Sequence, residues 1–179
     1  MYSTKATSVK EIRYVLDNLN PEAVSELKVL FGDSYKKNAF QIIRATTVKS
    51  IIKLKDTNEP VGVYGLVPLK VGSQSGLTPH PNPHIKKREK RIAGTLFLTT
   101  SNLHKGNIIK LLRTAKKQIE IWQNQYSTIL DSCHKSSKTI QKWLTLLGFK
   151  PSGWEDNDIH VYYKGKWDDE IEKELKNNV

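Results

Sequence analysis

"RIAGTLFLTTSNLHKGNIIKLLRTAKKQIEIWQNQYSTILDSC", residues 91–133, is the stretch whose reading decides the fold. It opens on an apolar run, "RIAGTLFLTT", with the composition of a buried strand. A polar turn, "SNLHKGN", follows. Ile108, Leu111, Leu112, Ala115, Ile119 and Trp122 then recur at helical spacing and form one apolar stripe, with Lys110, Arg113, Lys116 and Lys117 on the other faces. The stretch closes on a second short strand, "STILDSC". Two strands joined through a long helix can lie side by side only as a parallel pair with a crossover connection.

Toward the C-terminus, "SSKTIQKWLTLLGF" reads as a second amphipathic helix that stops at Gly148, and "DIHVYYKGKW" as a final strand. "DDEIEKELKNNV" is a charged helical or frayed tail. Toward the N-terminus, "YSTKAT" is a short first strand. Ser8 and Glu11 form a capping box before a helix that carries Val9, Ile12, Val15, Leu16 and Leu19. Asn20 caps a second helix, with Pro21 at its first position and Gly32 at its end. Ile51, Ile52 and Leu54 lead through "DTNE" into a return strand with Val61, Val63, Tyr64, Leu66 and Val67, an antiparallel hairpin. The Gly-, Pro- and His-rich stretch near 71–90 is a long loop, expected to be mobile or functional.

The order is therefore β-α-α-β-β-β-α-β-α-β, a mixed α/β sheet in a single domain over residues 1–167, with a charged tail at 168–179. At 179 residues, 37% hydrophobic and 26% charged, the chain can bury an ordinary core. No run approaches the ~18 apolar residues of a membrane span, and the N-terminal stretch lacks a signal-peptide apolar region. One cysteine excludes an internal disulfide framework and suits a reducing, cytoplasmic setting. Twenty-nine Lys and Arg against 18 Asp and Glu give a net charge of +11. That surplus fits an anionic partner such as a phosphate-bearing cofactor, nucleic acid or an acidic protein, and it equally fits a lysine-rich surface with no such partner. Lys outnumbers Arg, which weakens nucleic-acid recognition.

This order, with "RIAGTLFLTT", the helix after it, "STILDSC" and "SSKTIQKWLTLLGF" ending in Gly148-Phe149, resembles the GCN5-related N-acetyltransferase (GNAT) fold. The resemblance spans most of the chain by element order and about residues 91–150 by residue pattern. Within the fold it looks most like proteins of tailed bacteriophages, among them internal virion proteins. It implies an acyltransferase that binds acetyl-CoA or another acyl-CoA and passes the acyl group to an amine. It implies that the carrier enters where the strands at 92–100 and 127–133 part, held by backbone groups of Leu98, Thr99 and Thr100. The pyrophosphate would sit at Ser101–Asn107, with Lys105, Gly106 and Asn107 at a helix N-terminus, where free N–H groups and the helix dipole favour an anion. Ser137 matches the polar residue that opens the last helix, and Tyr64, on the strand that faces the acceptor, is the candidate catalytic base. The chain departs from the pattern twice. It has Gly106 alone in place of the phosphate-loop glycines, and Leu144 where a tyrosine commonly protonates the departing thiolate. These departures imply an alternative, a silent member of the fold acting with phage structural proteins.

Other residues carry less. Cys133 and His134 are adjacent on a strand, so their side chains point to opposite faces and cannot act as nucleophile and base. His80 and His84 are separated by prolines that forbid the helix needed to align them, so no metal site is expected. The basic run 84–91 suits a solvated loop or phosphate contacts. Glu59 and Asp56 lie in the hairpin turn, remote from the expected cleft.

Overall fold

The computed structural model describes residues 1–5, 8–46, 48–69, 92–103 and 105–176. Seven strands form one sheet in the order β1-β2-β3-β4-β5-β7-β6. They are β1 (Tyr2–Lys5), β2 (Val48–Lys53), β3 (Pro60–Leu69), β4 (Ile92–Thr99), β5 (Thr128–His134), β6 (Lys150–Asp156) and β7 (Ile159–Gly165). Among the described residues, only β4 and β5 pair in parallel, and the other strand pairings are antiparallel. The crossover between the parallel strands is the helix α4 (Lys105–Gln123), as its apolar stripe requires.

The helices α1 (Val9–Asp17), α2 (Pro21–Phe31) and α3 (Tyr35–Ala45) cover one face. Ile12, Val15, Leu16, Leu27, Ala39 and Ile43 pack there against Ile51, Val63 and Leu98 of the sheet. The opposite face carries α4 and α5 (Lys138–Leu147), whose Leu111, Ala115, Ile119, Trp122, Leu144 and Leu147 meet Ile52, Tyr64, Ile129 and Cys133. Ile51 and Ile52, like Val63 and Tyr64, are consecutive residues on opposite faces, the period of two that a two-sided sheet demands.

Both N-terminal caps form as expected: the Ser8 hydroxyl accepts from Glu11 N–H, and Asn20 Oδ1 accepts from Ala23 N–H. Two elements differ from the sequence expectation, and the tail takes the helical of the two forms expected for it. Residues 35–45 form α3, whose buried Ala39 and Ile43 give only a short apolar stripe. "KPSGWED" is the edge strand β6, disguised by Pro151 and Gly153, which an edge strand tolerates. The charged tail forms α6 (Asp169–Lys176), which seats Ile171 against Ile92 and Leu130. At the start of α4, Ile108 is exposed, although it belongs to the stripe by spacing. The stretch near 71–90, with His80, His84 and the basic run 84–91, lies outside the described residues.

Two glycines are dictated by geometry. Gly148 ends α5 in the left-handed conformation (φ 88°), and Phe149 N–H closes back on Leu144 O at 3.0 Å. Gly165 ends β7 at φ 109°, where an added Cβ would collide with the Ser127 carbonyl oxygen. Gly165→Ala combines that collision with backbone strain and is expected to cost roughly 3 kcal/mol or more; a melting temperature within a degree of the parent would contradict this.

Candidate active site

The parallel ladder between β4 and β5 is short. Ile92 pairs with Thr128, Ala93 with Ile129 and Gly94 with Leu130, and there it stops. Beyond that point Thr95–Thr99 and Asp131–His134 continue as strands on their outer sides, paired with β3 and β7. The two strands thus part into a V, with its vertex at Gly94 and Leu130.

The alternation of an antiparallel ladder decides which groups face the opening. Thr100 N–H bonds Val61 O at 3.0 Å, so the Thr100 N–H and both backbone groups of Leu98 and Leu96 point toward β3, while the Thr100 carbonyl accepts Leu103 N–H in the following turn. Those of Thr99, Phe97 and Thr95 point toward β5. The Thr99 carbonyl confirms the direction, because it accepts Asn20 N–H at 3.0 Å from the far side of β4.

At the vertex, a side-chain clasp replaces the ladder. Thr95 Oγ1 lies 2.5 Å from Asp131 Oδ2 and 3.2 Å from Leu130 O. Asp131 Oδ1 accepts its neighbour Ser132 N–H at 2.8 Å. Burial pushes the Asp131 carboxyl up to about 6, against the pull of its two donors, and the negative charge of Glu26 adds to the rise. Asp131 faces a small cavity between the sheet, α4 and α5, with about 30 Å³ open to the centre of a water-sized sphere. Five aromatic residues, Tyr64, Phe97, Trp122, Trp143 and Phe149, contribute to its wall. Phe97 and Trp143 stack at 5.7 Å between centroids, and Tyr64 meets Trp122 at 5.7 Å and Phe97 at 6.4 Å.

At the wide end, α2 spans the gap. Its cap Asn20 holds β4, with Nδ2 2.5 Å from Thr99 Oγ1. Two turns on, the buried Glu26 holds β5: Oε1 accepts His134 N–H at 2.5 Å, and Oε2 accepts the Ser137 hydroxyl at the start of α5. A carboxylate on α2 therefore satisfies an N–H that an adjacent strand would otherwise take.

The expected site residues fall as follows. Leu98 is buried on the α1–α3 face, Thr99 lines the opening and is held by Asn20, and Thr100 is turned to β3. Lys105, Gly106 and Asn107 form the first turn of α4. Tyr64 is buried in the cavity wall, its hydroxyl 3.4 Å from Gln118 Oε1. Ser137 is tied to Glu26. Glu59 is nearer than its place in a hairpin turn suggested. Its Oε1 accepts Asn102 Nδ2 and the Tyr14 hydroxyl, both at 2.6 Å, which sets a carboxylate beside the turn 101–107. Ser101 N–H in that turn bonds Asn18 O at 2.9 Å. Cys133 is fully buried, and burial pushes its thiol up to about 12, while His134 Nδ1 lies 2.7 Å from Ser136 Oγ. The pair is not chemically coupled.

Thr95, Asp131, Glu26 and Trp143 were not singled out as site residues from the sequence, and Trp122 was read only as part of the α4 stripe. Asp131 carried a signal: it occupies an inward position between Ile129 and Cys133, where a carboxylate is out of place unless used. Among the described residues, no group of three His, Cys, Asp or Glu comes together as metal ligands, and no helix is long and apolar enough to cross a membrane.

The V-shaped opening within this element order defines the GNAT fold, and comparison with solved structures gives the same result. The GNAT domain of S. lividans PAT matches with a TM-score of 0.63 at 9% identity, over 91% of this chain and 88% of that one. A GCN5-related N-acetyltransferase from Kribbella flavida matches at 0.56 and 12% identity, over 92% and 97%. The aminoglycoside acetyltransferase AAC(6')-Ib, solved with coenzyme A and kanamycin, matches at 0.57 and 14% identity, over 96% of each chain. No family model matches the sequence, and no curated protein matches it. The chain has the GNAT fold, reached by a sequence far from these structural neighbours.

At the vertex, the edge of β4 at Phe97 lies beside the small, largely apolar cavity. At the wide end the α2 contacts and Glu59 stand close to the expected path.

Glu26→Ala leaves His134 N–H and the Ser137 hydroxyl without their acceptor and is expected to cost about 2–4 kcal/mol, with Glu26→Gln costing less; equal denaturation midpoints for both variants and the parent would refute the strut. Asp131 supplies a pH test. Its carboxyl is raised in the folded state, so its contribution is fully present below the ordinary 3.8 and is lost as pH rises through about 6. Asp131→Asn should therefore gain on the parent by up to about 3 kcal/mol between pH 3.5 and 7, a shift that melts at the two pH values would reveal or deny.

Proposed function

We propose that the chain is an N-acyltransferase that takes an acyl group from acyl-CoA, acetyl-CoA in the simplest case, and passes it to an amine. The observation that carries this reading is the opening between β4 and β5, with an outward-facing backbone edge at Phe97 and a buried carboxylate at its vertex. Acetyltransferases among the structural neighbours, one of them solved with coenzyme A, support it.

When bound, the carrier supplies a thioester carbonyl open to attack by an amine. Phe97 N–H is the fixed donor on the β4 edge, placed to orient an acyl oxygen. The aromatic wall excludes water. Asp131, with its carboxyl near 6, is ionised over protonated by about tenfold at pH 7, which suits a group that accepts a proton from an ammonium or amine. The first turn of α4, with Lys105, Gly106 and Asn107, is the anion-binding end. Leu144 is buried and has no proton to give, so the thiolate leaves as the anion and takes its proton from solvent.

A second reading has its own observation. The contacts from Asn20 and Glu26 across the V favour a silent member of the fold, in which the opening is a structural relic and the role is assembly, in a virion if the phage resemblance holds.

Titration of the purified chain with acetyl-CoA and CoA separates the two. The first reading expects binding heat and an upward thermal shift at millimolar ligand. No heat and no shift would overturn it and leave the second.

A further inference from the structure

The helices on the two faces of the sheet differ in charge. α1, α2 and α3 carry six basic and four acidic residues. α4 and α5, side by side on the other face, carry seven basic residues and one acidic, Glu120. A surface that was lysine-rich throughout would show a similar balance on both faces, so the surplus has a place. Six of the seven, Lys110, Arg113, Lys116, Lys117, Lys138 and Lys142, are exposed. None of them makes an ion pair among the described residues.

These cations form rows. At about 100° and 1.5 Å per residue, Lys110, Arg113 and Lys117 share roughly 60° of the outer arc of α4 over about 10 Å of its axis. Lys138 and Lys142, at i and i+4, make a second row on α5, with packed helix axes about 8–10 Å apart. Two rows of cations complement a polymer that repeats its negative charge along two strands. Three neutral polar side chains of these helices are spent on nearby carbonyls. Thr114 Oγ1 donates to Lys110 O and Thr145 Oγ1 to Gln141 O, both at 2.9 Å, and Gln141 Nε2 donates to Lys135 O at 2.8 Å. The face therefore offers mainly charge, which holds phosphates, and little that reads base edges. Its exposed apolar residues, Ile108, Ile109, Ile121 and Leu146, are aliphatic and give unpaired bases no ring to stack on.

We propose that the outer face of α4 and α5 binds duplex DNA through its phosphates, without sequence preference. Five of the six exposed cations are lysines, point charges on long stems that suit a phosphate backbone rather than bidentate base contacts. The proposal is independent of the acyl-transfer reading, and none of the six cations belongs to the site described above.

The test is fluorescence anisotropy of a labelled DNA duplex of about 20 base pairs with the full chain, between about 50 and 200 mM NaCl. Four to five phosphate contacts give a slope of log affinity against log salt of roughly −3.6 to −4.5, a loss of about 150- to 500-fold over that range. The triple variant Lys116→Gln, Lys117→Gln, Lys142→Gln should flatten the slope by about 2.7 and weaken binding by more than about thirtyfold at 100 mM salt. The triple variant Lys10→Gln, Lys37→Gln, Arg44→Gln makes the same change of charge on the opposite face, beyond the screening length of about 10 Å, and should leave affinity within about twofold. All six substitutions are at exposed positions, and equal melting temperatures show that the comparison is one of binding. Equal losses in the two triple variants would mean that net charge alone acts and would overturn the proposal. A flat salt response, or no binding at the lowest salt, would do the same. Tighter binding to duplex RNA, to single-stranded DNA of the same length or to phosphatidylglycerol vesicles would give the face to that partner and equally overturn it.

Discussion

The structure turns on a parallel ladder that ends after three residue pairs. A buried strand edge cannot leave its N–H and C=O groups unsatisfied, so parting two central strands carries a cost that other groups must meet. Here three different devices meet it. Thr95 and Asp131 clasp the vertex, Asn20 takes the Thr99 carbonyl, and Glu26 reaches across from α2 to the His134 amide. Each of these places a polar group in an otherwise apolar interior, and each makes sense only because the strands diverge.

The same divergence organises the electrostatics. Asp131 and Glu26 approach β5 from opposite sides of the sheet, and their mutual repulsion helps to raise Asp131. Cys133 lies between them on the strand, and both carboxylates add to the burial that holds its thiol protonated. A chain with a net charge of +11 thus sets two carboxylates beside the parting of its central strands. The aromatic rings over the vertex strengthen any such interaction by keeping water out.

Much of this fold was legible in the sequence because its signals are local. The stripe of α4, the caps at Ser8 and Asn20, and the stop at Gly148 each need only a few consecutive residues. The crossover helix alone forced β4 and β5 into a parallel pair. What stayed hidden depends on contacts distant in sequence. Glu26 bonds His134 across 108 positions, and Glu59 reaches Asn102 across 43. β6 was masked by Pro151 and Gly153, whose meaning depends on the strand lying at an edge. The tail became a packed helix because of Ile171 and Leu175, two apolar residues one turn apart in a run of charge. Tyr64 was placed on the right strand, but only its packing shows that it belongs to the wall of a cavity. The phosphate-loop glycines and the usual tyrosine are absent from the sequence, and the structure puts Glu59 and the buried Leu144 in those neighbourhoods instead.

The central claim is that the edge of β4 exposed by the divergence is a binding edge. Backbone amide NMR of the full chain, with acetyl-CoA added stepwise, tests it most directly. The account predicts saturable shifts and slowed exchange centred on the Phe97 amide, spreading to Asp131 on the facing strand and to the indole N–H signals of Trp122 and Trp143. Shifts confined to surface lysines, with Phe97 and both indoles unmoved at saturation, would contradict it.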